Sequence, residues 1–244
     1  MTKLDDKVAI VTGGSSGVGK AVAALFLDAG ARVTIAGRDS AKLAAAAAEL
    51  AGGDRLAIHP IDVSDPQQCL ELIDARTEGF GKVDLLVNNA GMNLKQRAFR
   101  EMTPEAWNTI IQANLDGAFY CTQAVLPQML ARKDGVIINV VSIAGKRANP
   151  LGGVAYVASK FGMGAMGTVL ANEERENGIR VSNIYPGEIN TPILDQRPRP
   201  VSEEQRASIL QPRDVADAVL FVATLPPRVS VPELIIKPTI HTYW

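Results

Sequence analysis

Short apolar segments alternate with helix-forming segments along almost the whole of this 244-residue chain. The apolar segments have the length and composition of strands that are buried on both faces. Such alternation predicts a parallel sheet with helices on both faces, because consecutive parallel strands need a crossover connection between them. The predicted strands are residues 8–11, 32–36, 55–60, 83–87, 136–141, 181–185 and 231–237.

A glycine-rich turn, residues 12–19, separates the first predicted strand from a helix predicted over residues 20–29. Glycines let the backbone approach a pyrophosphate, and the N-terminus of the following helix offers free N–H groups and a positive dipole end. An ordinary tight turn is the alternative, but three glycines at the spacing of residues 13, 17 and 19 favour a dinucleotide site in this context. The predicted fold is α/β: a doubly wound parallel sheet (Rossmann fold) of about seven strands with helices on both faces, in a single domain over residues 1–244.

The end of the second predicted strand bears on the choice of dinucleotide. In such a fold this strand end faces the adenosine ribose, where an acidic side chain binds the 2′-hydroxyl of NAD and an arginine suits the 2′-phosphate of NADP. Here Arg38 follows Gly37, and Asp39 with Ser40 resembles a helix cap. We expect NADP(H) to be preferred over NAD(H), and a solvated surface charge is the alternative for Arg38.

Polar residues also follow the third and fourth predicted strands. Asp62 and Val63 come just after the third strand, where an adenine would lie, although Asp62 also suits a turn. The sequence Asn-Asn-Ala-Gly follows the fourth strand directly, at residues 88–91. Its two side-chain amides can bridge neighbouring strands and shape a crevice, and a plain turn is the alternative.

Tyr156 and Lys160 lie four residues apart in a helix predicted over residues 153–177, so they share one face of it. An ammonium beside a phenol favours the phenolate, which suits the tyrosine to proton transfer with a carbonyl or carbinol oxygen. Ser142 follows the fifth predicted strand and can meet Tyr156 above the sheet. Asn114 lies inside a long helix predicted over residues 103–132, where asparagine is a poor helix former.

In their order along the chain these motifs resemble those of the short-chain dehydrogenase/reductase family, in its single-domain branch with a Tyr-x-x-x-Lys pair. The similarity extends from residue 7 to about residue 238, and it includes a Pro-Gly pair at residues 186–187 and Thr191 after the sixth predicted strand. The ordered set is far more specific than any one motif.

The resemblance implies a role for each matching residue. Tyr156 is implied as general acid and base, and Lys160 as the group that lowers its pKa and holds the nicotinamide ribose. Ser142 is implied as a donor to the substrate oxygen, and Asn114 as the anchor of a water in a proton relay. Cofactor contacts are implied for Gly13, Ser15, Ser16, Gly17, Val18, Gly19, Arg38, Asp62, Val63, Asn89, Ala90, Gly91, Tyr156, Lys160, Pro186, Gly187, Ile189 and Thr191.

The activity that the resemblance implies is that of an NADP(H)-dependent oxidoreductase interconverting a ketone or aldehyde and its alcohol, of the carbonyl reductase or alcohol dehydrogenase type. A catalytically silent NADP(H)-binding sensor or scaffold on the same fold is the alternative, and a dehydratase or epimerase is a third. Many NADP-dependent members carry a basic residue where this chain has Ser16, so the NADP preference rests on Arg38. Acyl-carrier-protein reductases of this family usually have a glycine-rich segment running into and past the last strand. Residues 226–232 contain three prolines and no glycine, which argues against a fatty-acid ketoreductase.

Composition argues against several other classes of protein. The chain has 25 basic and 26 acidic residues, so no electrostatic surface for nucleic acid is indicated. Its two cysteines and two histidines form no recognisable metal or redox motif, and no metal site is predicted. No signal peptide or membrane span of about 20 apolar residues is recognised, so a cytoplasmic location is expected by default.

The expected partner is a small carbonyl or alcohol substrate, with residues 193–211 as a candidate lid. Cationic residues on loops predicted to flank the substrate are more simply interpreted as solvated charges than as a site for an anionic substrate. They are Lys146, Arg147, Arg197 and Arg199.

A homotetramer is expected, with a dimer as the runner-up. Small residues within 162–167 suit either a subunit interface or tight packing of their helix on the sheet. The last predicted strand, flanked by prolines, suits a sheet edge that could pair symmetrically.

Overall fold

The computed structural model describes residues 3–242; the predicted domain limits, residues 1 and 244, lie outside them. The strands are β1 (Val8–Thr12), β2 (Arg32–Gly37), β3 (Leu56–Pro60), β4 (Leu85–Asn88), β5 (Gly135–Val140), β6 (Ile179–Pro186) and β7 (Glu233–Ile236). They form one parallel sheet in the order β3-β2-β1-β4-β5-β6-β7. This is the doubly wound Rossmann arrangement, so the predicted fold is confirmed, including the edge position of the last strand.

The helices are α1 (Gly17–Asp28), α2 (Ser40–Leu50), α3 (Pro66–Phe80), α4 (Pro104–Ile111), α5 (Gly117–Arg132), α6 (Val154–Glu173), α7 (Glu203–Ser208) and α8 (Pro212–Ala223). Side chains at several N-termini accept hydrogen bonds from N–H groups that have no partner within the helix. Asp39 caps α2 by accepting from the Lys42 N–H at 3.0 Å, and Asp65 caps α3 by accepting from Gln67 at 2.9 Å. The cap at Asp39 was predicted from the sequence.

The core is divided by the sheet into two apolar layers. Along β1, Ala9 and Val11 pack with residues of α1 and α8, whereas Ile10 packs with residues of α3 and α5. All three side chains are fully buried, because helices cover both faces of the sheet. This is why the strands have continuous apolar sequences instead of alternating ones.

Helix α6 is 20 residues long with a mean hydropathy of 1.2, and by length and composition alone it could cross a membrane. A core helix meets the same test, so this finding by itself is weak evidence of a span. Here α6 packs on β6 through small residues: a Cβ atom at Gly164 would lie 2.7 Å from the Tyr185 hydroxyl. The small residues of α6 therefore serve tight packing on the sheet, one of the two uses that the sequence left open.

Candidate active site

A cavity of about 720 Å³ runs along the carboxyl ends of β1, β2, β4, β5 and β6. This is the edge of a doubly wound sheet where ligands bind. Most candidate site residues line this one cavity, whereas Gly19 and Asn114 lie behind its wall. The lining includes Gly13, Ser15, Ser16, Gly17, Val18, Arg38, Asp62, Val63, Asn89, Ala90, Gly91, Ser142, Tyr156, Lys160, Pro186, Gly187, Ile189 and Thr191.

The loop between β1 and α1 has the shape of an anion cradle. Gly13 and Gly17 have φ angles of +65° and +52°, in the left-handed region that favours glycine. A Cβ atom at Gly19 would lie 2.4 Å from the Gly13 carbonyl oxygen, so a side chain there would distort the loop. Ser16 precedes α1 without making a side-chain cap, so the first N–H groups of α1 are available to a ligand. These features fit a pyrophosphate.

The segment after β4 supports this loop. The Thr12 hydroxyl accepts from the backbone N–H groups of Asn89 and Ala90, both at 3.0 Å. The Asn89 side-chain amide donates to the Thr12 carbonyl oxygen at 2.9 Å and to that of Gly13 at 3.3 Å. Asn89 therefore belongs to a cross-strand support of the glycine loop and not to a plain turn.

A ladder of buried side-chain amides links the strands beneath the cavity. Asn88 donates to the Asn139 side-chain oxygen at 3.0 Å, and Asn139 donates to that of Asn183 at 2.9 Å. The three residues are paired in the sheet register of β4, β5 and β6. Asn183 in turn donates to the Gly164 carbonyl oxygen of α6 at 3.0 Å. The ladder fixes α6 relative to the strand ends that form the site.

Two cations, and the carboxylate that caps α2, lie where the cavity reaches the end of β2. Arg38 and Lys42 both line it, and the Lys42 ammonium lies 3.4 Å from the Asp39 carboxylate. The backbone N–H of Lys42 holds the pKa of Asp39 below its ordinary value. Asp39 caps α2 and pairs with Lys42, and Arg38 and Lys42 add two positive charges at this end of the cavity. Lys42 was missed in the sequence because a lysine in the first turn of a helix looks like any solvated charge.

Asp62 closes a turn after β3 and also lies at the wall of the cavity. Its carboxylate accepts from the backbone N–H of Ser64 at 3.0 Å and from the Ser64 hydroxyl at 2.7 Å, which closes a turn after β3. Asp62 and Val63 also line the cavity. The turn therefore presents these two residues at the cavity wall.

Ser142 and Tyr156 bring two hydroxyl groups together further along the cavity. Ser142 follows the end of β5 and accepts from the Ala144 N–H at 3.1 Å, and Tyr156 lies in the first turn of α6. Burial raises the pKa of Tyr156, while a hydrogen bond with Ser142 and the charge of Arg97 partly offset this shift. The phenol is therefore protonated at neutral pH and able to donate.

Lys160 lies buried behind Tyr156. Its side-chain ammonium donates to the Val140 carbonyl oxygen at 2.9 Å and lies 5.9 Å from the centre of the Tyr156 ring. Burial lowers the pKa of Lys160 from 10.5 to about 8. The resemblance implied that Lys160 lowers the pKa of Tyr156; in the structure the charge of Arg97 acts on the phenol in the same direction.

Asn114 lies in a π-helical turn, Gln112–Asp116, which divides the predicted long helix into α4 and α5. Its side chain accepts from the Met92 N–H at 2.7 Å and donates to the Met92 carbonyl oxygen at 3.0 Å and to the Ser159 hydroxyl at 3.1 Å. Ser159 donates to the Tyr156 carbonyl oxygen at 2.7 Å. Asn114 therefore ties the loop after β4 to the turn of α6 that carries the phenol.

The segment after β6 faces the glycine loop across the cavity. The Gly187 N–H donates to the Ile236 carbonyl oxygen at 2.7 Å, which holds this segment against β7. Thr191 contacts the glycine loop, since a Cβ atom at Gly17 would lie 3.1 Å from the Thr191 methyl carbon. The two segments thus form opposite walls of the same cleft.

Arg97 is a cavity residue that the sequence did not reveal. It follows β4 at a position without periodicity or motif, and it is only 7% exposed. Its guanidinium donates to the carbonyl oxygens of Leu94 and Leu151, at 2.8 and 3.0 Å, and of Gln196. Because these partners are far apart in the chain, no local pattern could have indicated the contact.

Comparison with known proteins gives consistent matches over the whole chain. The sequence profile of the family described as short chain dehydrogenase matches residues 7–201. An uncharacterized oxidoreductase of Staphylococcus saprophyticus is 34% identical over 240 residues, spanning 98% of this chain and 100% of the relative. The closed form of a serine dehydrogenase complexed with NADP⁺ has a TM-score of 0.89 at 31% identity, covering 97% of this chain and 96% of that one. A 3-ketoacyl-(acyl-carrier-protein) reductase from Brucella melitensis complexed with NADH has a TM-score of 0.88 at 31% identity, covering 97% and 98%.

The profile match spans β1 to β6 and includes the glycine loop, Ser142, Tyr156 and Lys160. The fold and the placement of these residues agree with that match. The chain is an oxidoreductase that belongs to the short chain dehydrogenase family.

Proposed function

We propose that this protein is an NADP(H)-dependent oxidoreductase that interconverts a ketone or aldehyde and its alcohol, of the carbonyl reductase or alcohol dehydrogenase type. The observation that supports it is the pairing of the Ser142 and Tyr156 hydroxyls, above a buried Lys160, in the cavity that begins at the glycine loop. This arrangement offers an oxygen two donors, one of which can give up its proton.

In the direction of reduction, Ser142 and Tyr156 hold the carbonyl oxygen, and Tyr156 transfers its proton to it. The positive charges of Arg97 and Lys160 stabilise the phenolate that forms. In the direction of oxidation, the phenolate takes the proton from the alcohol. A nicotinamide cofactor, when bound, supplies or accepts the hydride. Asn114 positions the turn that carries Tyr156 and, in this proposal, the water of a proton relay.

The same proposal assigns the cofactor contacts. The glycine loop, residues 13–19, holds the pyrophosphate, Asp62 and Val63 hold the adenine, and residues 89–91 line the ribose. Lys160 holds the nicotinamide ribose, and the segment after β6, residues 186–191, binds the carboxamide. Arg38, with Lys42 beside it, binds the 2′-phosphate and gives the preference for NADP(H). The complex of a structural neighbour with NADP⁺ supports NADP binding, whereas the complex of another with NADH leaves the preference to be measured.

Residues 193–211 act as the substrate lid in this proposal. Leu194 and Gln196 line the cavity, and Leu210 is held by a backbone bridge to Ile189. Between these anchors α7 has no buried residue and is held by polar contacts of Arg206 with Asn190 and Asp195, which can break without exposing apolar surface.

Replacement of Tyr156 by phenylalanine tests the proposal. The variant should lose at least about 100-fold in kcat for any carbonyl that the wild type reduces, because the general acid is removed. Its Kd for NADPH, measured by fluorescence titration, should change little. Tyr120→Phe, on α5 outside the cavity lining, is the matched control and should keep full activity. A Tyr156→Phe enzyme with most of its activity would refute the mechanism.

Wild-type protein that binds NADPH but reduces nothing in a panel of ketones, aldehydes and oxo acids would instead favour a silent sensor.

A further inference from the structure

Arg97 is a buried cation without a carboxylate partner in the described part of the chain. A guanidinium has five N–H donors, and three of those of Arg97 are engaged by backbone carbonyl oxygens, which leaves two. No aspartate or glutamate of residues 3–242 forms an ion pair with it. A buried charge is costly unless it is paired, so an anion that enters the cavity here would satisfy the two remaining donors.

The neighbouring charges increase the excess of positive charge at this end of the cavity. Arg197 also lines the cavity, and its guanidinium is paired with the Glu188 carboxylate at 2.8 Å. His241 lies 3.9 Å from the same carboxylate, so one acid serves both groups. The Lys237 ammonium, also at the cavity wall, is bound to the His241 carbonyl oxygen at 2.7 Å and to no aspartate or glutamate of residues 3–242. The wall beside the Ser142–Tyr156 pair therefore has more cations than carboxylates.

The position of Arg97 relative to the proton donor is fixed by close packing. A Cβ atom at Gly153 would lie 2.5 Å from the Arg97 Cβ, and the Val154 N–H donates to the Arg97 carbonyl oxygen at 3.3 Å. Gly153 is the N-cap residue of α6, and Val154 begins the turn that carries Tyr156. Arg97 is thus held against the start of α6, close enough to Tyr156 for its charge to act on the phenol.

We propose that Arg97 binds a carboxylate of the substrate, and that the substrates are short oxo acids and the corresponding hydroxy acids. The inference rests on the proposed function and names the substrate class of that same site. The reaction converts one oxo acid, one NADPH and one proton into one hydroxy acid and one NADP⁺. The carbonyl π bond breaks, a C–H bond forms with the hydride, and an O–H bond forms with the proton of Tyr156.

The competing role for Arg97 is purely structural, because its three carbonyl contacts join residues 94, 151 and 196. The two roles predict different responses to the charge of the substrate. Loss of a structural clamp affects charged and neutral substrates alike, whereas loss of a carboxylate site affects the charged ones much more.

The first experiment compares matched substrates: pyruvate, 3-oxobutanoate and 4-oxopentanoate, each against its methyl ester, with NADPH oxidation as the readout. For the wild type, kcat/KM should be higher for at least one acid than for its ester. In Arg97→Gln, kcat/KM should fall for both substrates, because both lose the charge that stabilises the phenolate of Tyr156. The fall should be at least about 100-fold larger for the acid than for its ester, because only the acid also loses a buried charge partner. Arg100→Gln, a nearby exposed arginine outside the cavity lining, is the matched control and should behave as the wild type.

A binding measurement gives a readout that needs no turnover. Butanoate and butanamide are each titrated calorimetrically into the complex of the enzyme with NADP⁺. Butanoate should bind at least about tenfold more tightly than butanamide, and Arg97→Gln should abolish that difference in Kd. If Arg97→Gln does not fold, the two wild-type comparisons, acid against ester and butanoate against butanamide, decide the matter. Esters reduced as well as or better than acids, or equal losses for both in Arg97→Gln, would overturn the inference and leave the proposed reductase standing. If no member of a broad carbonyl panel were reduced, the proposed function itself would fail.

Discussion

Lys160 is the candidate catalytic side chain whose burial costs most. It is 3% exposed and carries its ammonium against a carbonyl oxygen, with no carboxylate paired to it among residues 3–242. A chain selected for stability alone would have an apolar residue here, whereas the proposed chemistry needs a cation beside Tyr156. The lowered pKa of Lys160 reflects the free-energy cost of burying this charge, which the proposed chemistry requires.

Replacement of Lys160 by methionine should change how the free energy of unfolding depends on pH. The unfolded lysine has its ordinary pKa of 10.5, and the folded one has a pKa of about 8. Between these pH values the unfolded state binds the additional proton, so the wild type gains stability relative to the variant as pH rises. Below the folded pKa the buried charge lowers the free energy of unfolding by its full cost, and above the unfolded pKa this cost is gone. The free energy of unfolding changes by about 3 kcal/mol between these limits.

Urea unfolding at about pH 7 and about pH 9.5 measures this effect. Between these pH values the free energy of unfolding of the wild type, relative to that of Lys160→Met, should increase by about 2 kcal/mol. Lys95→Met makes the same change at an exposed position and should show no such shift. A wild-type-to-Lys160→Met difference that is the same at both pH values would show that the charge is not buried.

Arg38 and Lys42 should determine the choice between the two nicotinamide cofactors. Arg38→Ala should raise the Kd for NADPH by about 10- to 100-fold, as expected for loss of a charged hydrogen bond, and leave the Kd for NADH nearly unchanged. Lys42→Ala should have a smaller effect in the same direction, because its ammonium is shared with Asp39. Arg213→Ala, on the exposed start of α8, serves as the control. Equal changes for NADPH and NADH in Arg38→Ala would remove Arg38 from the phosphate site.

At the scale of elements, the strands and most helices were predictable because their signals are local. Buried parallel strands have continuous apolar sequences, and caps such as Asp39 are recognisable within a few residues. The division between α4 and α5 was not predictable from helical propensity. The π turn there is accompanied by contacts of Asn114 with Met92 and Ser159, and a Cβ atom at Gly117 would lie 2.6 Å from Val63. These contacts join distant parts of the chain, so only Asn114 and Gly117, as poor helix formers, hinted at an irregularity.

The packing of α6 on the amide ladder should depend on Gly167. A Cβ atom there would lie 2.2 Å from the Asn183 side-chain oxygen and 2.6 Å from the Asn139 side-chain nitrogen. Gly167→Ala should therefore destabilise the protein by about 2–4 kcal/mol, through overpacking and loss of buried hydrogen bonds. Gly79→Ala, in helix α3 with no atom within 4 Å of the added carbon, should stabilise it by about 0.5–1 kcal/mol. Urea midpoints of the two variants measure the contrast, and equal effects would show that α6 can move away from the ladder at little cost.

At the scale of the whole molecule, the sequence located most of the site because of one topological fact. Parallel strands end at the same edge of the sheet, so motifs that follow different strands must meet there. Ser142, Tyr156 and the glycine loop come together for this reason. Arg97 and Lys42 escaped notice because their positions follow from loop packing and from helix orientation, which three-dimensional contacts determine.

The outer surfaces of α5 and α6 present apolar side chains that nothing in the described chain covers. Phe161, Ala165 and Val169 are exposed at successive turns of α6, and Phe119 is exposed on α5. The glycines of α6 face inward: Cβ atoms at Gly162 and Gly164 would meet Leu115 and Tyr185. The proposed subunit contact through α6 therefore rests on its outward apolar residues and not on its glycines.

We expect light scattering at micromolar concentration to give the mass of four 26.0 kDa chains, with two chains as the runner-up. A second copy can cover the outward stripe of α6 by a two-fold axis, and charged residues there should prevent this because burying them unpaired is costly. Phe161→Glu combined with Val169→Glu should therefore reduce the mass to a smaller assembly while circular dichroism stays unchanged. Leu70→Glu, which adds the same charge at an exposed apolar position of α3, should leave the mass as in the wild type. A wild-type monomer would contradict assembly altogether. A double variant with the wild-type mass would show that the contact does not depend on α6, and the exposed edge of β7 would then be the candidate.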